Sequence, residues 1–395
     1  MKKLLLVIFI TLITASAGAQ WQPVFDSPHR VYDITASGSR LFAAINFNGV
    51  YLSNDNGINW SPTSLISTVY CLASNGSVLL AGGNGIFLST NNGLDWINIQ
   101  VDGRFFTSLA FFGSTVYAGT SASHIYRSTN SGLTWTQTSF TSATPTALEI
   151  SGNYVFAGTD PYGVYFTTNN GANWQQTPLN NRSVRDIVIN GNYIFACTPS
   201  AGVFISTNNG SNWVQSSLTT GIQSLAISGS NVFGSNFSNS GNSKVYVSNN
   251  NGANWTERSE GLAGHDSFVL YVHNDYVFAG SKSDSSNKIF RRPINEVIGI
   301  ELITTEIPDG FSLAQNYPNP FNPSTKIKFD ISYSSFVKLV VYDMLGREVS
   351  SLVDEQLKAG TYEYEFNASE LNSGVYFYKI STDNFSEIKK MILIK

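Results

Sequence analysis

Along residues 20–294 the apolar positions fall in short runs that alternate with turn-forming clusters of Gly, Asn and Ser. Stretches such as "ALEISGNYVFAGT", "DIVINGNYIFACT" and "SLAISGSNVFGSN" place two such runs on either side of a Ser-Gly or Asn-Gly pair. That pattern predicts β-hairpins, because those dipeptides accept the positive φ a tight turn requires. A third apolar run follows each hairpin, for example Gly85-Ile86-Phe87-Leu88 or Gly163-Val164-Tyr165-Phe166. It leads into a polar octapeptide that ends in tryptophan and opens a fourth strand. Each unit therefore reads as four short antiparallel strands, a to d.

The octapeptides are Ser53–Trp60 (SNDNGINW), Ser89–Trp96 (STNNGLDW), Ser128–Trp135 (STNSGLTW), Thr167–Trp174 (TTNNGANW), Ser206–Trp213 (STNNGSNW) and Ser248–Trp255 (SNNNGANW). Their tryptophans lie 36, 39, 39, 39 and 42 residues apart. A four-strand unit repeating about every 40 residues has the size of a propeller blade. The third residue (Asp55, Asn91, Asn130, Asn169, Asn208, Asn250) supplies an oxygen that accepts backbone N–H groups in an Asx turn. The fifth is always glycine (Gly57, Gly93, Gly132, Gly171, Gly210, Gly252), as expected where φ is positive. Trp60, Trp96, Trp135, Trp174, Trp213 and Trp255 each open strand d and cover the hairpin with an apolar face.

Six octapeptides do not mean six blades. After Trp255 the segment "FVLYVHNDYVFAGSKSDSSNKIFRRPI" supplies another a, b and c, but no octapeptide follows. At the other end of the chain, Trp21-Gln22-Pro23-Val24 resembles Trp60-Ser61-Pro62-Thr63 and precedes it by 39 residues, one further period. The N-terminal strand is expected to complete the last unit, which closes a seven-bladed ring and leaves no long free edge. The expectation is an all-β chain: a seven-bladed propeller closed by its N-terminal strand, followed by a small immunoglobulin-like sandwich.

The octapeptide resembles the Asp-box, or BNR, repeat of sialidase-like propellers, S-x-[DN]-x-G-x-x-W. The likeness covers about residues 21–294, with Asp55 alone keeping the aspartate and Asn in the other five copies. In that family the box is a structural turn away from the active site, and it occurs in hydrolases and in non-catalytic binding proteins. The resemblance thus implies a fold and no particular substrate.

"MKKLLLVIFITLITASAGAQ" joins two lysines, a ten-residue apolar stretch and Ala17-Gly18-Ala19, the pattern of a secretory signal peptide over residues 1–19. No later segment is long and apolar enough to span a membrane, so none is expected. Without residues 1–19 the chain has 21 basic and 27 acidic side chains, a net charge of −6, which argues against a nucleic-acid partner. Cys71 and Cys197 fall in different repeats and read as small buried side chains, not as a disulfide.

Charge density rises after the repeats, from 26 charged side chains over residues 20–300 to 22 over residues 301–395. Residues 295–309 read as a linker and 310–395 as a second domain. Pro318, Pro320 and Pro323 favour an extended lead-in there, followed by strands in "VKLVVYD", "GTYEYEF", "GVYFYKI" and "EIKKMILIK" around the turn "MLGRE". Asn316-Tyr317-Pro318-Asn319-Pro320-Phe321-Asn322-Pro323, Val341-Tyr342-Asp343-Met344-Leu345-Gly346-Arg347, Gly374-Val375-Tyr376-Phe377-Tyr378 and the closing Lys390-Met391-Ile392-Leu393-Ile394-Lys395 closely resemble the C-terminal sorting domain of the type IX (Por) secretion system. That resemblance implies the type IX machinery as a partner and a secreted or outer-surface destination.

The loops joining d to a and b to c share one face of the ring, opposite the octapeptides. That face is expected to carry the ligand site, with Arg30, Arg104, Phe105, Tyr162, Arg182, Arg185 and His265 as candidates. A sialidase needs three arginines, a Tyr/Glu nucleophile pair and an Asp acid/base; Glu149, Glu257, Glu260 and Glu296 offer no such pair. A xyloglucanase-like hydrolase needs two opposed carboxylates, and Asp33 and Asp186 are the weak candidates, at equivalent positions in units one and five. His29, His124, His265 and His273 lack metal-ligand spacing, and no cofactor motif is present. The expected function is a monomeric, non-catalytic surface module for a glycan or protein ligand, with a glycoside hydrolase of sialidase-like or xyloglucanase-like type as the alternative.

Overall fold

A computed structural model describes residues 20–101, 104–238, 240–282, 287–368 and 371–395; the expected signal peptide and Asp102-Gly103 lie outside them. Among the described residues, seven four-stranded antiparallel sheets precede residue 294. The first runs from Val31–Ser37 through Arg40–Ile45 and Gly49–Ser53 to Ser61–Pro62. Five more follow the same order. Their inner strands, Val69–Ser74, Phe106–Phe112, Thr144–Ser151, Asp186–Asn190 and Ile222–Ser228, pack each against the next. The last inner strand, Phe268–His273, packs on both Ile222–Ser228 and Val31–Ser37, so the succession of sheets returns to its start.

Burial follows from that arrangement. Each sheet is covered on both faces by its neighbours, so the second strands, such as Arg40–Ile45 and Leu79–Gly83, are apolar almost throughout. Phe42, Ala44 and Val50 of the first sheet share a cluster with Leu72, Leu79 and Ala81 of the second. Ile34 and Ala43 share another with Val269 and Phe278 of the seventh. The outer strands are exposed and only a few residues long.

The seventh sheet is made from both ends of this region. Gln22–Asp26 pairs antiparallel with Lys288–Pro293, Pro23 facing Phe290. Trp21 is fully buried. Its indole N–H donates to the Arg258 carbonyl at 2.7 Å, and its backbone N–H donates to the Glu260 carbonyl. It is therefore anchored on the sixth sheet, unlike the octapeptide tryptophans.

In all six octapeptides one hydrogen-bond pattern recurs. The first-residue hydroxyl donates to the third-residue oxygen, as from Ser89 to Asn91 at 3.0 Å. The fifth-residue N–H donates back to that hydroxyl, and the seventh-residue N–H donates to the third-residue oxygen. Trp60, Trp96, Trp135 and Trp255 donate their indole N–H to the turn glycine's carbonyl, whereas Trp174 and Trp213 do not. The glycine does more than turn the chain. Gly93 has φ +78°, and a Cβ there would stand 2.6 Å from Cε1 of Phe42 in the preceding sheet. Gly93→Ala is expected to cost about 2–4 kcal/mol through left-handed strain and overpacking, read as a lowered Tm or denaturant midpoint.

Cys71 and Cys197 are free and buried, and burial pushes both thiols up. The expected linker is corrected by the structure. Ile294–Val297 forms one helical turn behind Pro293, and Ile300–Thr304 pairs with Gly360–Asn367. Ile300 is fully buried and Leu302 exposed, so it is the pairing with Gly360–Asn367 that makes this segment an edge strand. The C-terminal domain thus takes in residue 300, and comprises two four-stranded sheets. Ser324–Ile331 and Glu348–Leu357 are strands that the sequence reading did not name. A single hydrophobic cluster runs from Trp21, Phe268 and Phe290 through Val297 and Ile300 to Ile327, Leu352 and Tyr378. The domain is packed onto the last two sheets, with Asn249 donating to the Tyr364 hydroxyl (3.0 Å) and Lys358 paired with Asp275 (2.6 Å).

Candidate functional site: the channel mouth and loop face

The first residues of the inner strands lie close together, since each inner strand packs against the next. Bulges there turn the side chains of Tyr32, Tyr70 and Gln223 out of the regular alternation. Tyr32 and Tyr70 meet edge to face with centroids 5.1 Å apart.

Asp33 and Asp186 occupy matching places just below. Asp33 Oδ2 accepts the Leu72 N–H at 2.7 Å and Oδ1 accepts its neighbour Ile34 N–H at 2.8 Å. Asp186 Oδ2 accepts the Leu225 N–H (2.8 Å) and the Ser224 hydroxyl (3.3 Å), and Oδ1 accepts the Ile187 N–H. Ser224 Oγ continues the device by accepting the Leu270 N–H at 3.1 Å. These side chains tie each inner strand to the next sheet. Both residues are half-buried, and desolvation by the surrounding protein still dominates: Asp33 is raised to about 7 and Asp186 to about 6.

Lys282 lies within Coulombic reach of both carboxylates, and burial lowers its ammonium pKa against their opposing pull. Glu149, mid-strand in the fourth sheet, is raised to about 8 by burial and then by repulsion from Asp186. Sequence reading missed the roles of Lys282 and Glu149. A signal existed for Lys282: aligned on the repeat, the residue after the second-strand "AGS" or "AGT" is charged only here and at Asp160.

The loop face differs from expectation at two points. His265 is buried, 3% exposed, bonded through Nδ1 to the Ser281 hydroxyl at 2.9 Å and wedged between Phe268 and Phe290. It is a core residue because the d–a loop before the seventh sheet folds inward over those rings. Arg182 lies over the Phe204 ring at 4.8 Å, and Arg185 pairs with Asp160 at 3.1 Å, which in turn accepts the Ser183 hydroxyl. Arg30 and Arg104 are half-buried. Phe105 and Tyr162 are exposed, as are Phe47 and Phe237 on second-to-third-strand loops, whereas Phe106 is fully buried in the third sheet. Among the described residues no cluster of His, Cys, Asp and Glu could hold a metal ion.

In the C-terminal domain the quoted motifs come together. Asn316 is buried; its N–H donates to the Tyr378 hydroxyl at 2.8 Å and its side-chain amide donates to Thr325 Oγ1 at 2.9 Å. Phe321 and Asn319 bond the backbone of Ile392, and Phe321 also bonds Ile394. Asp343 caps the Met344-Leu345-Gly346 turn, accepting Arg347 Nε at 2.7 Å. Residues 315–395 match the family model of the secretion system C-terminal sorting domain. They are a type IX sorting tail. The protein is accordingly secreted through that system to the cell surface or beyond.

Residues 151–267 match the model described as the DUF6242 beta propeller domain. Among solved structures, YCF48 from Cyanidioschyzon merolae aligns at 15% identity over 70% of this chain and 99% of its own, with a TM-score of 0.56. The GH74 enzyme of Niastella koreensis aligns at 16% identity over 95% and 75%, with a TM-score of 0.55. The WD40 propeller domain of Doa1 aligns at 13% identity over 70% and 97%, with a TM-score of 0.56. At these identities the likeness is one of fold: an all-β chain of blade-like sheets. No curated protein matches the sequence. Among the described residues no helix is long and apolar enough to cross a membrane.

Proposed function

We propose that residues 20–294 are a seven-bladed Asp-box propeller, exported behind the residue 1–19 signal peptide, that binds a glycan or protein through its loop face without turning it over. The C-terminal domain is read as an immunoglobulin-like sandwich that addresses the propeller to the type IX machinery, and the chain as a monomer. The repeated hydrogen-bond pattern of the six turns supports the Asp-box reading, and the cyclic packing of inner strands supports the ring.

One observation carries the binding reading. In each of the two carboxylates placed for hydrolysis, Asp33 and Asp186, one oxygen accepts a backbone N–H of the adjoining sheet and the other that of the next residue on its own strand, while Phe47, Phe105, Tyr162 and Phe237 stand exposed around the mouth. A glycoside hydrolase is the second reading, favoured by the titration of those carboxylates near neutrality, which desolvation chiefly causes. A glycan array and a pull-down with the secreted protein are expected to report binding that drops at least tenfold in a Phe105→Ala/Tyr162→Ala double variant. Release of reducing sugar or sialic acid that disappears in Asp186→Asn would put the hydrolase in its place.

A further inference from the structure

Two cavities meet on the opposite side of the molecule. One, about 280 Å³, lies between the fifth and sixth octapeptide turns and is bordered by Tyr193, Asn208, Asn212 and Asn250. The other, about 720 Å³, lies between the sixth turn and the sorting domain and is bordered by Asn250, Asn254, Trp255 and Tyr364. Asn250 borders both, so they lie side by side along one groove; the larger has the size of ligand sites and sits at the junction of two domains, where such sites are common.

The turns that line it differ chemically from the first three. In turns one to three the third and seventh side chains bond each other: Asn59 to Asp55 at 2.7 Å, Asn91 to Asp95 at 2.8 Å, Asn130 to Thr134 at 2.9 Å. In turns five and six both positions are asparagine, and the pairs Asn208/Asn212 and Asn250/Asn254 make no such bond. Asn212 and Asn254 are exposed, and their side-chain amides are open to the groove; the Asn208 and Asn250 oxygens each already accept two hydrogen bonds within the turn, which leaves only their N–H donors for a ligand. The four side chains come two to a turn, and the groove is bordered by Tyr193 on the fifth-turn side and by Trp255 on the sixth.

Charge along the groove is largely compensated. Glu257 is bound by Lys244 at 2.6 Å, and the Arg258 guanidinium donates to the carbonyls of Val297 and Glu257. Glu365 adds a carboxylate that would repel an anion. Open amides, aromatic faces and no net cation suit a chain of hydroxyl groups and C–H faces.

We infer that the groove from the fifth turn to the sorting domain is a binding site for a linear, neutral oligosaccharide, separate from the loop face. Because Tyr364 and Trp255 border it from the two domains, the glycan bridges propeller and sorting domain and holds them together. Asn249, anchored to the Leu352 carbonyl (3.3 Å) and the Tyr364 hydroxyl, fixes the width of the wider half.

The test is calorimetric titration of the full secreted chain with β-1,4-linked hexamers of glucose, mannose and xylose, and with a hexagalacturonate as the anionic probe. One neutral hexamer is expected to bind, with affinity at least tenfold weaker in Asn254→Ala and in Asn212→Ala and unchanged in Asn173→Ala, the same substitution in the fourth turn, which borders neither cavity. All three alanine variants keep the turn, since its bond comes from the backbone N–H at these positions, and an unaltered melting curve verifies that. The inference fails if no neutral hexamer binds, if the anionic one binds more tightly, or if the Asn212 and Asn254 variants titrate like the parent. Binding lost only in Tyr162→Ala would assign the sugar to the loop face and leave the groove without a role.

Discussion

A chain beginning at residue 27, without Gln20 to Asp26, is expected to lose cooperative folding at 37 °C and to elute as aggregate. The reason is geometric. Gln22–Asp26 is the outer strand of the seventh sheet, and without it Lys288–Pro293 becomes an open edge of six residues with unpaired N–H and C=O groups. The same deletion empties the space of Trp21, whose indole is fully buried between the sixth and seventh sheets. Replacing a buried Trp or Phe by Ala alone typically costs about 3–5 kcal/mol, a large part of the stability of most domains. Trp21→Ala separates the two contributions: it keeps the strand but lowers the melting temperature. If the shortened chain melts within a few degrees of the parent and remains monomeric, closure by the N-terminal strand is not what holds the ring.

The pairing of Gln22–Asp26 with Lys288–Pro293 was legible because it rests on a local pattern repeated with fixed period. Trp21-Gln22-Pro23-Val24 looks like the start of a fourth strand, and Lys288–Pro293 lacks one. The octapeptide geometry was readable for the same reason: Ser, Asn, Gly and Trp at set offsets leave one low-energy turn. Where the sequence misled, long-range packing decided. His265 sits in a polar loop by sequence, yet the rings of Phe268 and Phe290 draw it into the core. Glu348–Leu357 carries Glu348 and Asp354 and has no strand signature of its own, but pairing with Ser335–Tyr342 makes it a strand. Ile300–Thr304 is too short to declare itself without its partner. Asp33 and Asp186 could be placed at equivalent strand positions, but that their oxygens hold Leu72 and Leu225 depends on how neighbouring sheets abut, which no single repeat encodes.

Those desolvated carboxylates make stability depend on pH in a direction opposite to the usual one. Asp33 titrates at about 7 in the folded protein against an ordinary 3.8, chiefly because burial disfavours its charge. Between roughly pH 4 and pH 7 the folded chain therefore binds more protons than the unfolded chain, and stability falls as pH rises through that window. Every tenfold difference in proton affinity between the folded and unfolded chains corresponds to about 1.4 kcal/mol. The contribution of this one group therefore reaches a few kcal/mol, moderated by the Lys282 ammonium and by the two N–H donors. Asp186, raised to about 6, acts with the same sign over a narrower range. Asp33→Asn removes the titration while retaining one acceptor oxygen in place of two, a loss of about 1 kcal/mol for the missing bond. The parent is thus expected to be the more stable protein at pH 5, and the variant to match or exceed it at pH 8, with a flatter dependence between. Denaturant titrations at pH 5, 6, 7 and 8 check this. Parallel curves for parent and variant would mean that the Asp33 carboxyl is solvated in the channel and charged throughout, in which case the reading of it as a strand-to-strand tie gives way to that of an available acid.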